Sequence, residues 1–308
     1  MSAIRLLPVP LPGPFFVKNS ARLVGHLRRI FSASLIAASL CAAAPRLARA
    51  QSVDEIVRKV VHNELDADSN DHTSWMYRDV YKSPEKDIVK LVIETPQGNL
   101  SENIEDRGRP PSPEQHQADL DKMQQIVSDP ALRARMKKNE EHDGQQARDM
   151  MNMLPNAFVW HVIDHANGDI TLSFSPAPSF SPDSMNAKVL ASMSGTLVVD
   201  EHEMRLKKLA GRLDKDVVFG WGLLGRINSG GTFEIVRQNV GSGSWQITQT
   251  HVHISGHALF FKSIGDQEDE VTSDYHRTPD GVDLNKAAEM LRNGEVAKEL
   301  HVEAHFGG

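Results

Sequence analysis

Cysteine is almost missing from this chain: Cys41 is the only one in 308 residues. It falls within the first fifty residues, so the remainder offers no disulfide, no thiolate nucleophile and no thiolate metal site. Aromatic residues are scarce too, at 6% of the chain, so even a modest apolar cavity would draw on most of them. No Asp or Glu occurs before Asp54. No apolar run reaches the roughly 20 residues that an ordinary membrane-spanning helix needs. The G-x-S-x-G pattern is absent, which removes the nucleophile elbow of an α/β-hydrolase.

The acid-free start has its own pattern. Seven cations (Arg5, Lys18, Arg22, Arg28, Arg29, Arg46, Arg49) precede or flank a short apolar run, Ile30 to Ala44, which is followed by Ala48-Arg49-Ala50. A basic segment, a short apolar segment and small residues at −3 and −1 describe a secretory signal peptide cleaved after Ala50. Leu40 stands where a bacterial lipobox wants a small residue before its cysteine, so Cys41 is not read as a lipidation site. Export places the mature chain, 51–308, in the periplasm as a single domain. The whole chain has a net charge of −7, and removing seven cations leaves −14. That balance repels nucleic acid and anionic membrane surfaces. Without disulfides, the exported domain depends on core burial.

Beyond Ala50, Ser52-Val53-Asp54-Glu55 is a capping box, and Val53, Ile56, Val57, Val60, Val61 and Leu65 recur at helical spacing. A helix is expected over about 52–66. Asp66 to Asp71 opens like a calcium loop, but Asp71 stands where glycine is required and Tyr77 where a bidentate glutamate is required. A solvated acidic turn is the better reading. Strands follow at 73–81, 87–95 and 99–105, with Trp75, Tyr77 and Tyr81 on one side of the first. Ser112 with Pro113 and Gln115 then caps a helix to about Val127, and Asp129-Pro130 restarts a second to about Leu154. Met150, Met151 and Met153 cluster at the end of this hairpin, as core or as an adaptable lid over an apolar ligand.

From Ala157 the β pattern dominates. Strands are expected at 157–165, 169–175, 187–199, 203–213, 215–221, 231–238, 244–254, 256–264 and 267–276. Short glycine turns between them, including Ser255-Gly256 and Gly265, imply antiparallel neighbours. A helix at 283–291 closes the domain. About twelve strands are too many for a flat layer. The expected fold is mainly β (α+β): a single large curved antiparallel sheet forming an incomplete barrel, with an N-terminal helix, an inserted helical hairpin and a short C-terminal helix.

Chemistry-bearing motifs are few. Gly220-Trp221-Gly222-Leu223-Leu224-Gly225 matches G-x-G-x-x-G, but a dinucleotide site needs a helix after the third glycine, and Asn228 to Gly231 would end one within a turn. The run reads instead as a bend with an apolar tip. His251 and His253 share one side of a strand, with His257 shortly after, and suit zinc or copper if a third ligand arrives. Gln249 and Ser255 lie on the same side, which makes it look like a polar outer face. His161 and His165 repeat the pattern. No catalytic constellation assembles and no cofactor motif stands out, so a non-enzymatic role is expected.

Within the meander Lys188 to Gln238, Gly195, Leu197, Val199 and Asp200 end one strand, and Arg205, Leu206, Lys208, Leu209 and Gly211 begin the next. This G-x-L-x-V-D turn into R-L-x-K-L-x-G resembles the outer-membrane lipoprotein-sorting (LolA/LolB-like) superfamily over about 157–276. The resemblance implies an incomplete barrel whose concave side, plugged by helices, carries lipid or lipoprotein acyl chains across the periplasm. The hairpin 112–154 is extra to that plan. Large apolar residues expected to point inward are Trp75, Phe158, Trp160, Phe174, Phe219, Trp221, Phe233 and Phe260. Two other roles are open: an envelope protein that docks a partner through the hairpin, and a metal-dependent hydrolase built on His251 and His253. Recovered from the periplasm, the protein should have an intact mass that begins at Gln51. A form that still carries Arg28 and Arg29 would overturn the cleavage reading.

Overall fold

The computed structural model describes residues 52–219, 225–258 and 261–302, without the side chains of 219, 257, 258 and 261–266. Residues 1–51 with Cys41, the glycine run with Trp221, the segment with Phe260 and the last six residues lie outside the described residues.

The first element is helix α1 (Val53–Asn70), opened by the Ser52–Glu55 capping box. It runs four residues further than its apolar periodicity indicates. The acidic stretch is therefore its last turn rather than a loop, with Asp71 as C-cap. Strands β1 (Trp75–Lys82), β2 (Asp87–Thr95) and β3 (Gly98–Asp106) follow as an antiparallel meander. The hairpin is α2 (Pro113–Ser128), capped by Ser112 and Gln115, and the 28-residue α3 (Pro130–Ala157), capped by Asp129.

Next come β4 (Phe158–Ala166), β5 (Asp169–Pro176), a one-turn α4 (Met185–Leu190) and β6 (Met193–Asp200). Lys188 to Leu190 are thus helical rather than the start of a strand, because Ser184 caps the Ala187 N–H and four good helix formers follow. Strand β7 (Arg205–Leu213) precedes two short pieces, β8 (Val217–Phe219) and β9 (Gly225–Ile227). The third glycine of the G-x-G-x-x-G run therefore opens a strand, where dinucleotide binding would need a helix.

A larger correction concerns the end of the sheet. Only β10 (Thr232–Gly241), β11 (Ser244–Ala258) and β12 (Phe261–Arg277) occur where four strands were expected. Ser255-Gly256 and Gly265 are not turns. They lie mid-strand and pair across the ladder, Ser255 with Gly265 and Gly256 with Ile264. Gly256 is needed there for contact rather than for a turn, since a Cβ would strike the Arg226 carbonyl of β9. Helices α5 (Leu284–Arg292) and α6 (Glu295–Glu299) complete the chain.

All strands belong to one antiparallel sheet in the order β3-β2-β1-β12-β11-β10-β7-β6-β5-β4, with β8 and β9 attached through β11. The sheet is not closed into a barrel, and β3 and β4 are its two ends. Register shows that the two hydrophobic clusters use opposite faces. Phe174, Leu197 and Leu209 lie on one face with Ile235, under α1, the end of α3 and α4. Met76, Leu91, Ile93 and Leu100 lie on the other, under α2, α5 and α6. Helix α3 joins these two regions. Leu132 near its start packs on the second cluster and Met151 and Leu154 on the first. In between, 134–143 are all exposed. A helix of this length reaches about 42 Å, enough to span from one hydrophobic cluster to the other.

The β6–β7 hairpin shows why its glycines matter. Gly195 and Gly211 are directly paired. A Cβ at Gly195 would collide with the Ala210 carbonyl and the Phe174 ring, and one at Gly211 with the Phe233 ring. The glycines let the strands carry aromatic rings flat over their backbone. Gly195→Ala should cost about 1–3 kcal/mol or more through overpacking, read as a lowered midpoint in urea. An unchanged midpoint would show that the ring contact is not tight.

Candidate functional site

The described cavity with the most chemistry sits where the C-terminal end of α1 meets the start of β1 and the β10–β11 turn. Its volume is about 470 Å³, and its walls include Asp68, Asp71, Trp75, Arg205, Arg237, Trp245 and Arg277. Local sequence explains the walls. Gly241, Ser242 and Gly243 all take positive φ (128°, 53° and 78°), so the turn folds tightly and delivers Ser244 and Trp245 to one side. The Ser244 hydroxyl donates to Asp71 at 2.6 Å, which ties that turn to the end of α1. Burial alone would raise the Asp71 carboxyl, but hydrogen bonds from Ser244 and Thr73 outweigh it and hold the group below its usual range.

Beneath the cavity lies an ionic centre. Glu64 is the one acid on the apolar stripe of α1, and its side chain is fully buried. Arg205 of β7 grips it through Nε at 2.9 Å and Nη2 at 3.1 Å, the Leu206 N–H donates at 2.7 Å, and Arg237 of β10 donates through Nη1. Arg237 also donates to the Trp245 carbonyl, and the Arg205 guanidinium stands over the Trp245 ring at 5.8 Å. The Trp245 indole N–H donates to Glu203 at 2.7 Å. Burial pulls the Arg237 guanidinium down to about 10, so the cation persists at neutral pH. Its Nε–H is buried and has no partner among the described residues.

The aromatic residues expected to face inward separate into groups. Phe158, Trp160 and Phe174 meet as one cluster with ring centroids 4.6–5.7 Å apart. All three are buried under α1 and α3, and Phe233 packs at their margin. Trp75 stands apart, on the cavity wall, edge-on to Tyr275 at 6.0 Å. Tyr77 stacks on the same ring at 5.1 Å. Phe219 lies in β8, with its side chain outside the described residues, as Trp221 and Phe260 are altogether.

The histidine face is a polar outer face. Pairing places His251 opposite Asp269 and Glu234, and His253 opposite Gln267 and Thr232. The His251 Nδ1 lies 2.7 Å from Asp269, and the His253 Nε2 lies 3.9 Å from it. Among the described residues no cluster of three ligands is arranged for a metal ion. His161 and His165 of β4 are exposed, and His165 pairs with Glu201 at 3.0 Å.

Compared with protein-family models, curated proteins and solved structures, the chain matches none.

Two features escape the sequence patterns. Glu64 follows Val57, Val60 and Val61 at i+7, i+4 and i+3, a charge on an otherwise apolar stripe, and that break was the available signal. The second is Glu102 of β3, fully buried against α2, with neither oxygen hydrogen-bonded among the described residues. The His116 Nδ1 of α2 stands 3.4 Å away. Burial, aided by the charge of Asp119, raises the Glu102 carboxyl to about 7. An acid whose pKa is raised on folding stabilises below its unfolded pKa and loses that stability as pH rises through the folded one. Stability should therefore fall between about pH 4.5 and pH 7 and beyond, by roughly 3 kcal/mol in all. Glu102→Gln should flatten that slope in urea titrations at pH 5 and pH 8. A slope equal to the parent's would remove Glu102 as its source.

Proposed function

We propose that the protein is a non-enzymatic, exported binding protein that holds a lipid or an acylated partner on the apolar face of β4 to β7. One observation carries this reading: that face is covered by helices, not by a second sheet. Helix α1 lays Ile56, Val57, Val60 and Val61 on it, and the end of α3 adds Met150, Met151, Met153 and Leu154. A helix can be lifted without breaking a ladder of interstrand hydrogen bonds, and unbranched methionines repack readily around a chain of variable shape. The surface beneath is rich in Phe, Leu and Val, and removing it from water is worth ~25 cal/mol per Å² whether α1 or an acyl chain covers it. The apolar contribution is then close to balanced between the two covers, and the Glu64 ion pairs are what lifting α1 must give up.

The expected result is that protein purified without detergent releases fatty acyl material on organic extraction and takes up a fluorescent fatty acid. Ligand-free native mass spectra together with no uptake would overturn the reading. A second reading, partner docking, rests on the fully exposed midsection 134–143 of α3. Charge reversal at Lys137 and Lys138 would abolish capture of such a partner and leave lipid uptake intact.

A further inference from the structure

The cavity at the end of α1 is separate from the apolar face under that helix, and its chemistry is different. We infer that it is a binding site for an oxyanion, a phosphate or carboxylate group. The site stands on its own geometry and does not depend on the carrier reading.

Three observations lead there. The first is a pair of guanidiniums on one buried acid. Arg205 and Arg237 share a single buried carboxylate, Glu64. Arg205 is also within reach of the charges of Glu203 and Asp71. Among the described residues Glu64 is the only carboxylate that touches Arg237. The second is an unanswered donor: with Nη1 and Nη2 of Arg237 engaged, its Nε–H is left without an acceptor among the described residues. A buried donor in that state costs free energy until an acceptor arrives. The third is the rim. Arg277 lines the same cavity, with a side chain 68% exposed, and its partner Asp280 is 90% exposed. A surface pair of that kind is weak and screened by salt, so its guanidinium can turn to an incoming anion at little cost.

Two carboxylates also line the cavity and must be reckoned with. Asp68 is held by Arg148 at 3.1 Å. Asp71 is held by Ser244 and Thr73. Both are already engaged, at the α1 side of the cavity. They would turn an anion toward the arginines. Guanidinium forks match the paired oxygens of phosphate and carboxylate, and Trp75 and Trp245 give the rest of a ligand an apolar wall. A volume of about 470 Å³ suits a headgroup-sized molecule.

The oxyanion could arrive free or as the head of an amphiphile, and calorimetry on the intact mature chain separates the two. The probes are inorganic phosphate, dodecyl phosphate and the uncharged dodecyl maltoside. Dodecyl phosphate should bind at least about tenfold more tightly than dodecyl maltoside, and Arg277→Gln should erase most of that preference. Because Arg277 is exposed, this variant should keep the parent's urea midpoint. Arg237→Lys, which keeps the charge and loses the fork, should weaken phosphate-bearing probes and leave dodecyl maltoside unchanged. Binding of inorganic phosphate as tight as that of dodecyl phosphate would assign the site to free anions. Equal binding of dodecyl phosphate and dodecyl maltoside would overturn the oxyanion site and leave the carrier reading standing. No binding of either phosphate probe, or binding indifferent to both arginine variants, would also overturn it.

Discussion

Glu64 is the pin of this structure. Its carboxylate sits in the middle of α1's apolar face and is met by two arginines from two strands and by a backbone N–H. A buried carboxylate without partners would be expelled or protonated. With these partners it can be buried only in one place, and so it sets where α1 lies on the sheet. From that position the rest follows. The last turn of α1 reaches the β10–β11 turn through Asp71 and Ser244. Trp245 is clamped between Arg205, Arg237 and Glu203. The cavity is the space left between these fixed points. Apolar contacts supply most of the docking energy, but they have no direction, and the ionic centre gives them one.

A second constraint is the division of the core between two faces. Strands β4 to β7 turn their apolar residues to α1, while β1 to β3 turn theirs to α2, α5 and α6. The sheet must therefore be covered twice, and α3 is long enough to take part in both covers. The cover over β4 to β7 is aliphatic, with α1 laying Ile56, Val57, Val60 and Val61 on the strands around the buried Glu64. The cover over β1 to β3 is more specialised, for it seals in Glu102, a carboxyl that favours its neutral form.

The extent of the strands was legible where side chains alternate and turns carry glycine or proline, as in β1, β2, β5 and β7. It failed where glycine served contact rather than turning. Gly256 and Gly265 resemble turn residues in one dimension, yet they lie inside two long strands because β9 packs against Gly256. The acidic end of α1 failed for a related reason: its polar residues carry no periodic signal, and the helix persists because its last turn is built into the cavity wall. The expected inward aromatics divided in the same way. Alternation puts Phe158, Trp160 and Phe174 on one face, but whether they line a void or fill a core depends on what covers them.

By itself the sequence determined that no cysteine follows Cys41, a β-rich domain of about twelve strands and the glycine-bearing hairpin at its centre. These are properties of composition and of periods two and 3.6, which act over a few residues. Only the tertiary structure decided which face each half of the sheet buries, that β11 and β12 are continuous, and that Glu64, Arg205 and Arg237 meet although 141 and 173 residues separate the acid from its partners. Glu64 breaks the apolar stripe of α1, but which cations answer it leaves no mark on local pattern, because that energy depends on burial and distance, and those exist only once the chain has folded.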